Sequence, residues 1–196
     1  MNLENVHVAI DTETLGFSDT AVILSIGVCP FRFEEKDLSF DDLIKRSYFA
    51  KLAVGPQKQL KRNADRSTLE WWNKQSDEAK QYSFNKNGNE KDPKDVLLEL
   101  KIFLSESGYN WDSSYVFERG MGFDSNKIQT LYNQYELTSP FNFWRAREIR
   151  TINDLVADVS NGKWELPDGN PKNFIEHHAL HDACLDAYKL IKMFDI

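Results

Sequence analysis

The sequence predicts an α/β protein built on a mixed five-stranded sheet flanked by helices. Two observations predict it. Three short apolar runs, at residues 6–12, 21–31 and 48–54, follow one another closely, as an antiparallel meander requires. From residue 92 onward, stretches with helical periodicity alternate with short apolar segments, which adds strands flanked by helices. A length of 196 residues suits one domain, 1–196, with a sizeable core, and neither an internal repeat nor a linker interrupts it.

The first strand is read from Val6, Val8, Ala9 and Ile10, and the second from Val22, Ile23, Leu24, Ile26 and Val28, with the turn at Gly16 to Asp19 between them. A short helix is expected over 67–77, opened by the capping-box spacing of Ser67 and Glu70. A longer one runs over 92–107: Pro93 suits its first turn, Val96, Leu97, Leu100 and Leu104 give it an apolar face, and Gly108 can end it. A fourth strand at 115–118 leads into a helix over 124–135. A fifth strand is expected at 141–149, then a helix through Val159 opened by Thr151 and Asp154. Residues 160–176 are rich in Gly, Pro and Asn and read as a loop. The last helix spans 179–194, with Ala183, Cys184, Ala187, Leu190 and Ile191 inward. Three strands followed by alternating helices and strands fit a ribonuclease H-like fold.

Composition narrows the function. Hydrophobic residues at 41% and charged residues at 28% are ordinary for a soluble protein. No apolar run approaches the ~20 residues of a membrane span, and Met1 to Glu4 do not open a signal peptide. Cys29 and Cys184 both sit in apolar patterns and are read as buried thiols. The net charge of −7 excludes a broad phosphate-gripping surface but not a nuclease whose acidic site is offset by cations. Local basic stretches remain at Lys51, Lys58, Lys61, Arg62 and Arg66, and at Arg145, Arg147 and Arg150, each either a solvated face or a phosphate contact.

The chemistry resides in four carboxylates and a histidine. Asp11 and Glu13 lie at the end of the first strand, and residues two apart on a strand share a face. Asp124 opens a helix, and Asp182 lies in the first turn of the last helix. Carboxylates are the ligands of hard divalent cations, and a pair of such cations can activate water and clamp the attacking and leaving oxygens of a phosphodiester. His177, five residues before Asp182, can serve as a base near neutral pH, with His178 and His181 as competitors. Trp71 and Trp72 are adjacent on a helix and point ~100° apart, so at most one is deep in the core. Trp72 is carried as a candidate for stacking on a base, against the alternative that both pack helix to sheet. Arg147 and Arg150 can grip a phosphate bidentately, or one of them can pair with Glu148.

This set, in this order, resembles the DEDD 3′→5′ exonucleases with a catalytic histidine, the DEDDh or DnaQ-like superfamily. The segments from Ser67 to Trp72, Arg119-Gly120-Met121-Gly122-Phe123-Asp124, Phe143-Trp144 with Arg147 to Thr151, and His177 through Asp182 further resemble the exonuclease A family of T-even bacteriophages and related 3′→5′ exoribonucleases. The resemblance implies metal-ligand roles for Asp11, Glu13, Asp124 and Asp182, two divalent ions (Mg²⁺ or Mn²⁺), and His177 as general base. The tyrosine subclass is disfavoured, because its tyrosine position is His178 here. The resemblance also implies that Thr14, Leu15 and Gly16 lie beside the terminal nucleotide. The expected function is release of mononucleotides from single-stranded 3′ ends, DNA favoured over RNA, without a membrane. The expected location is the cytoplasm, that of the bacterial host if the chain is phage-encoded. An exoribonuclease and a non-catalytic module that binds nucleic acid ends or a host protein are the alternatives.

Overall fold

The computed structural model describes residues 5–84, 88–157, 159 and 161–194. The helix expected through Val159 ends at Val156, while Asp158 and the expected loop start at Ser160 lie outside the described residues. The five strands are β1 (His7–Thr14), β2 (Ile23–Phe31), β3 (Tyr48–Lys51), β4 (Val116–Glu118) and β5 (Ala146–Glu148), arranged β3-β2-β1-β4-β5. The first three form the antiparallel meander; β4 pairs parallel to β1 and β5 parallel to β4. The helices are α1 (Phe40–Arg46), α2 (Val54–Gln59), α3 (Arg66–Trp72), α4 (Asp77–Phe84), α5 (Pro93–Glu106), α6 (Phe123–Gln134), α7 (Ile149–Val156) and α8 (Ala179–Met193). Among them none is long and apolar enough to cross a membrane.

The period-2 alternation of β1 builds two cores. Val8 and Ile10 join Ile26 and Val28 of β2 under α5 and α6, where Leu97, Leu100, Ile128 and Leu131 are fully buried. Ala9, Cys29 and Phe31 face the other way, onto Phe40 and Leu43 of α1 and Ala183, Ala187, Leu190 and Ile191 of α8. Asp11 and Glu13 continue the series of Ala9, so they share the face covered by α8. Gly27, paired with Asp11 in the sheet, is where α8 comes down: a Cβ there would lie 2.1 Å from the carbonyl oxygen of Ala179. Only glycine admits that approach.

Several expected boundaries shift. α3 starts at Arg66 after Asp65, and Glu70 pairs with Arg66 (2.8 Å), so the Ser67–Glu70 capping box does not form. The expected 67–77 helix breaks after Trp72, and α4 starts separately at Asp77, where Ser76 accepts from the Ala79 amide at 3.1 Å. The Thr151–Asp154 box is also absent. Glu148 caps α7 instead, accepting from the amide (2.7 Å) and hydroxyl (2.9 Å) of Thr151, which leaves Asp154 free to accept from Gly162. The expected fifth strand shrinks to three residues because Asn142 accepts from Trp144 and turns 143–145 into a 3₁₀ helix. Helices α1 and α2 were not expected. α1 carries a true capping box, Ser39 with Asp42.

Candidate active site

The end of β1 delivers Asp11 and Glu13, and α8 crosses above it. Asp182, in the first turn of α8, accepts from the amide of His178 at 3.2 Å. His177, one residue earlier, sits at φ 59°, a left-handed conformation that turns the chain sharply into the helix. Glu13, His177 and Asp182 thereby come together, their ligand atoms all within 4.8 Å of one another. The His177 ring is held edge-on against Trp71, with centroids 4.8 Å apart.

Asp124 arrives from the opposite core. Arg119 to Phe123 loop through three consecutive left-handed residues, Gly120 (φ 102°), Met121 (φ 51°) and Gly122 (φ 90°), and so start α6 at the strand end. Glu118, buried at the end of β4, fastens that start by accepting from the amides of Asp124 (3.0 Å) and Ser125 (2.9 Å) and the Ser125 hydroxyl (2.6 Å). Asp124 in turn accepts from the amide (3.0 Å) and hydroxyl of Thr12. Neither Thr12 nor Glu118 stood out in the sequence, because their roles exist only once β1 and β4 are neighbours.

Burial first, and then repulsion from neighbouring carboxylates, raises the proton affinity of the whole set. Asp11 is pushed well above the usual carboxylate range, by burial first and then by Asp124, Asp182 and Glu13. Glu13 is raised to about 8, by burial and then Asp182 and Asp124. Burial likewise raises Asp124 and Asp182 to about 7 each. Burial lowers His177, which favours a neutral imidazole. Oxygen donors crowded at this cost suit a hard divalent cation, whose charge would offset the repulsion. The residues present therefore fit such an ion.

Asp186, one turn after Asp182, is only 2% exposed and forms an ion pair with Arg119. The other histidines turn away: His178 stacks on Phe49 (4.5 Å), and His181 accepts from the Ile175 amide (3.2 Å).

A mainly apolar cavity of about 440 Å³ opens beside Glu13, lined by Thr12, Thr14, Gly16, Phe17, Trp71, Trp72 and Phe123 among others. Thr14 and Gly16 line this cavity, and the missing Cβ of Gly16 makes room for Asp65 (2.7 Å). Leu15 does not line the cavity. It packs in a small core with Val22, Leu24 and Trp72, because the strand end points it inward. Trp72 is 2% exposed and donates to the Thr14 carbonyl at 2.9 Å, so it buttresses the cavity wall, whereas Trp71 is 41% exposed. The residue free to stack on a ligand is thus Trp71, with Phe17, 70% exposed, across the opening. Arg147 is also placed elsewhere: it donates to the carbonyls of Trp144 and Ala146 and lies over the Tyr115 ring at 4.2 Å. Arg150 lies nearer, lining a second cavity with Arg119, Asp182 and Asp186. Glu148 is taken by the α7 cap and the Gly120 amide rather than by an arginine.

Known nucleases share the sequence family and the fold. The family model of the Rv2179c-like 3′-5′ exoribonuclease domain matches residues 6–193. An exodeoxyribonuclease of Enterobacteria phage T4 is 28% identical over 194 residues, covering 90% of this chain and 84% of the phage protein. Among solved structures, the nuclease domain of 3′hExo, described as a DEDDh family member bound to rAMP, superposes with TM-score 0.63 at 12% identity, covering 97% of this chain and 92% of that one. Cell-death related nuclease 4 superposes with TM-score 0.61 at 13% identity; this chain, 97% covered, spans 64% of it. Exonuclease I gives TM-score 0.57 at 10% identity, with 97% of this chain covered and 45% of that one. The fold is the ribonuclease H-like fold of these nucleases, and the chain belongs to the Rv2179c-like 3′-5′ exoribonuclease domain family, and so to the 3′→5′ exonucleases.

Proposed function

We propose that this chain is a metal-dependent 3′→5′ exonuclease that releases mononucleotides from single-stranded DNA ends. Family membership implies dependence on a divalent metal. The finer reading is two ions, Mg²⁺ or Mn²⁺, held by Asp11, Glu13, Asp124 and Asp182. The observation that carries it is the convergence of Glu13, His177 and Asp182 within 4.8 Å, with all four carboxylates raised first by burial and then by neighbouring carboxylates. When bound, such ions lower the pKa of water and stabilise charge on the attacking and leaving oxygens.

The chain's own residues do the rest. His177, kept neutral by burial and held by Trp71, accepts the proton of the attacking water at the imidazole nitrogen that faces Glu13 and Asp182. Thr12 fixes the Asp124 carboxylate and Glu118 holds the Asp124 backbone amide at the start of α6, so the orientation of Asp124 precedes substrate binding. The apolar cavity beside Glu13 takes the terminal base between Trp71 and Phe17 and keeps bulk water from it. If the chain is phage-encoded, it works in the cytoplasm of the bacterial host.

Digestion of 5′-labelled single-stranded DNA and RNA of one sequence, with Mg²⁺, Mn²⁺ or EDTA, tests the reading. A ladder shortening from the 3′ end with metal only is expected, faster on DNA, and absent with Asp11→Ala. Full cleavage by purified Asp11→Ala protein would sink the metal assignment. The second reading, an exoribonuclease, is favoured by the description of the matching family, and faster digestion of RNA would establish it.

A further inference from the structure

An apolar cavity and a mixed, charge-lined one flank the carboxylate cluster. The apolar one touches Glu13, while the other, about 280 Å³, touches Asp182 and lies between α7, the turn at Gly162 and α8. Four cations line this second cavity together with four carboxylates, Glu165, Glu176, Asp182 and Asp186. Arg119 is committed to Asp186, and Lys189 lies 3.1 Å from Glu165. Among the described residues, neither Arg150 nor Lys163 is closed into an ion pair, although Arg150 is near enough to Asp186 to favour its charged form; both are exposed.

The turn that carries Lys163 is built rather than loose. Asn153 donates to the Gly162 carbonyl at 2.8 Å, and Asp154 accepts from the Gly162 amide at 2.6 Å, so α7 grips both peptide groups of this residue. Gly162 has φ 67°, and a Cβ on it would lie 2.4 Å from the Cβ of Arg150. The turn therefore rests directly on the residue carrying the other free cation, and Lys163 follows immediately.

We propose that this cavity is the subsite for the phosphate one nucleotide 5′ of the scissile bond, bound by Arg150 and Lys163. The inference rests on the exonuclease reading and deepens it by giving the strand a direction across the site. The terminal base enters the apolar cavity on the Glu13 side, the scissile phosphate lies at the carboxylates, and the next phosphate reaches the basic mouth on the Asp182 side. Cations are of use only on that side, because the apolar cavity offers none to a phosphate.

The test compares a dinucleotide carrying a 5′-phosphate with the same dinucleotide ending in a 5′-hydroxyl, in deoxy and ribo forms, with Mg²⁺ or Mn²⁺. Only the phosphorylated one has a group for the subsite. The wild-type protein is expected to favour it by about 10–100-fold in kcat/KM, the range of a charge-assisted contact. In Arg150→Ala and Lys163→Ala the ratio falls toward one, and in Arg150→Lys most of it remains. The salt dependence of kcat/KM should be steeper for the phosphorylated dinucleotide, a difference lost in the alanine variants. Hydrolysis of both dinucleotides without preference, or a preference that survives both alanine substitutions, overturns the subsite and leaves the exonuclease reading standing. No metal-dependent hydrolysis of either dinucleotide or of a longer strand overturns both.

Discussion

Replacing Glu13 with Gln should stabilise the metal-free protein while destroying its activity. The carboxylates of Glu13 and Asp182 lie within 4.8 Å of each other, and Glu13 is only 7% exposed. At an effective dielectric constant of ~20, two unit charges at that distance repel by roughly 3.5 kcal/mol. Proton uptake and residual solvent relieve part of this, leaving about 2 kcal/mol, which corresponds to ~4–8 °C in Tm for a chain of this size. The pH dependence follows from the direction of the shift. Folding raises Glu13 from 4.5 to about 8, so the native state holds more protons than the unfolded state between these values. Metal-free stability therefore falls as pH rises through that window. The advantage of Glu13→Gln is near zero at its acid end and full at its alkaline end, while Asp11, Asp124 and Asp182, also raised, leave a smaller slope in the variant. The assay is thermal unfolding in EDTA across this range, repeated with Mg²⁺ or Mn²⁺, which should stabilise the wild type more than the variant. A Tm for Glu13→Gln at or below that of the wild type at pH 8 in EDTA would refute the reasoning.

Other outcomes follow from the same geometry. His177→Ala should slow turnover at saturating metal by ~10²–10⁴-fold, the scale of a lost general base, and an equal effect from His178→Ala would place the base elsewhere. Gly27→Ala should cost about 3 kcal/mol, because its Cβ would meet backbone of α8 that cannot yield, and should depress activity through displacement of Asp182; an unchanged Tm would refute the close approach. Trp71→Ala should raise KM, by ~5–150-fold if one base stacks on it, with little loss of Tm, whereas Trp72→Ala should cost the ~3–5 kcal/mol of a truncated core aromatic, roughly 6–20 °C in Tm. The reverse pattern would return the stacking role to Trp72.

The acidic set and its histidine were legible because each lies at a recognisable element end. Asp11 and Glu13 follow an unbroken apolar strand, and Asp182 opens a helix whose apolar face is long and regular. Short-range regularity of this kind is written in local spacing, so the meander, α5, α6 and α8 could be read directly. The double tryptophan could be seen to split between core and surface, but not which ring went where, since that depends on where α3 docks. Helices α1 and α2, with seven and six residues, carry too few apolar positions for periodicity to declare them. Capping misled twice, because Ser67 and Thr151 have the right spacing, yet the helices begin earlier, at Arg66 and Ile149.

What the sequence by itself determined is the set of candidate site residues and the strand and helix ends that carry them. Tertiary structure alone decided the contacts between residues far apart in the chain. Gly27 lets α8 descend onto the sheet, Thr12 of β1 seizes Asp124 of α6, Asp186 becomes a buried partner of Arg119, and Arg147 and Arg150 part company. The physical reason is that local spacing sets which side chains share a face, whereas burial, repulsion and hydrogen bonding depend on which faces meet.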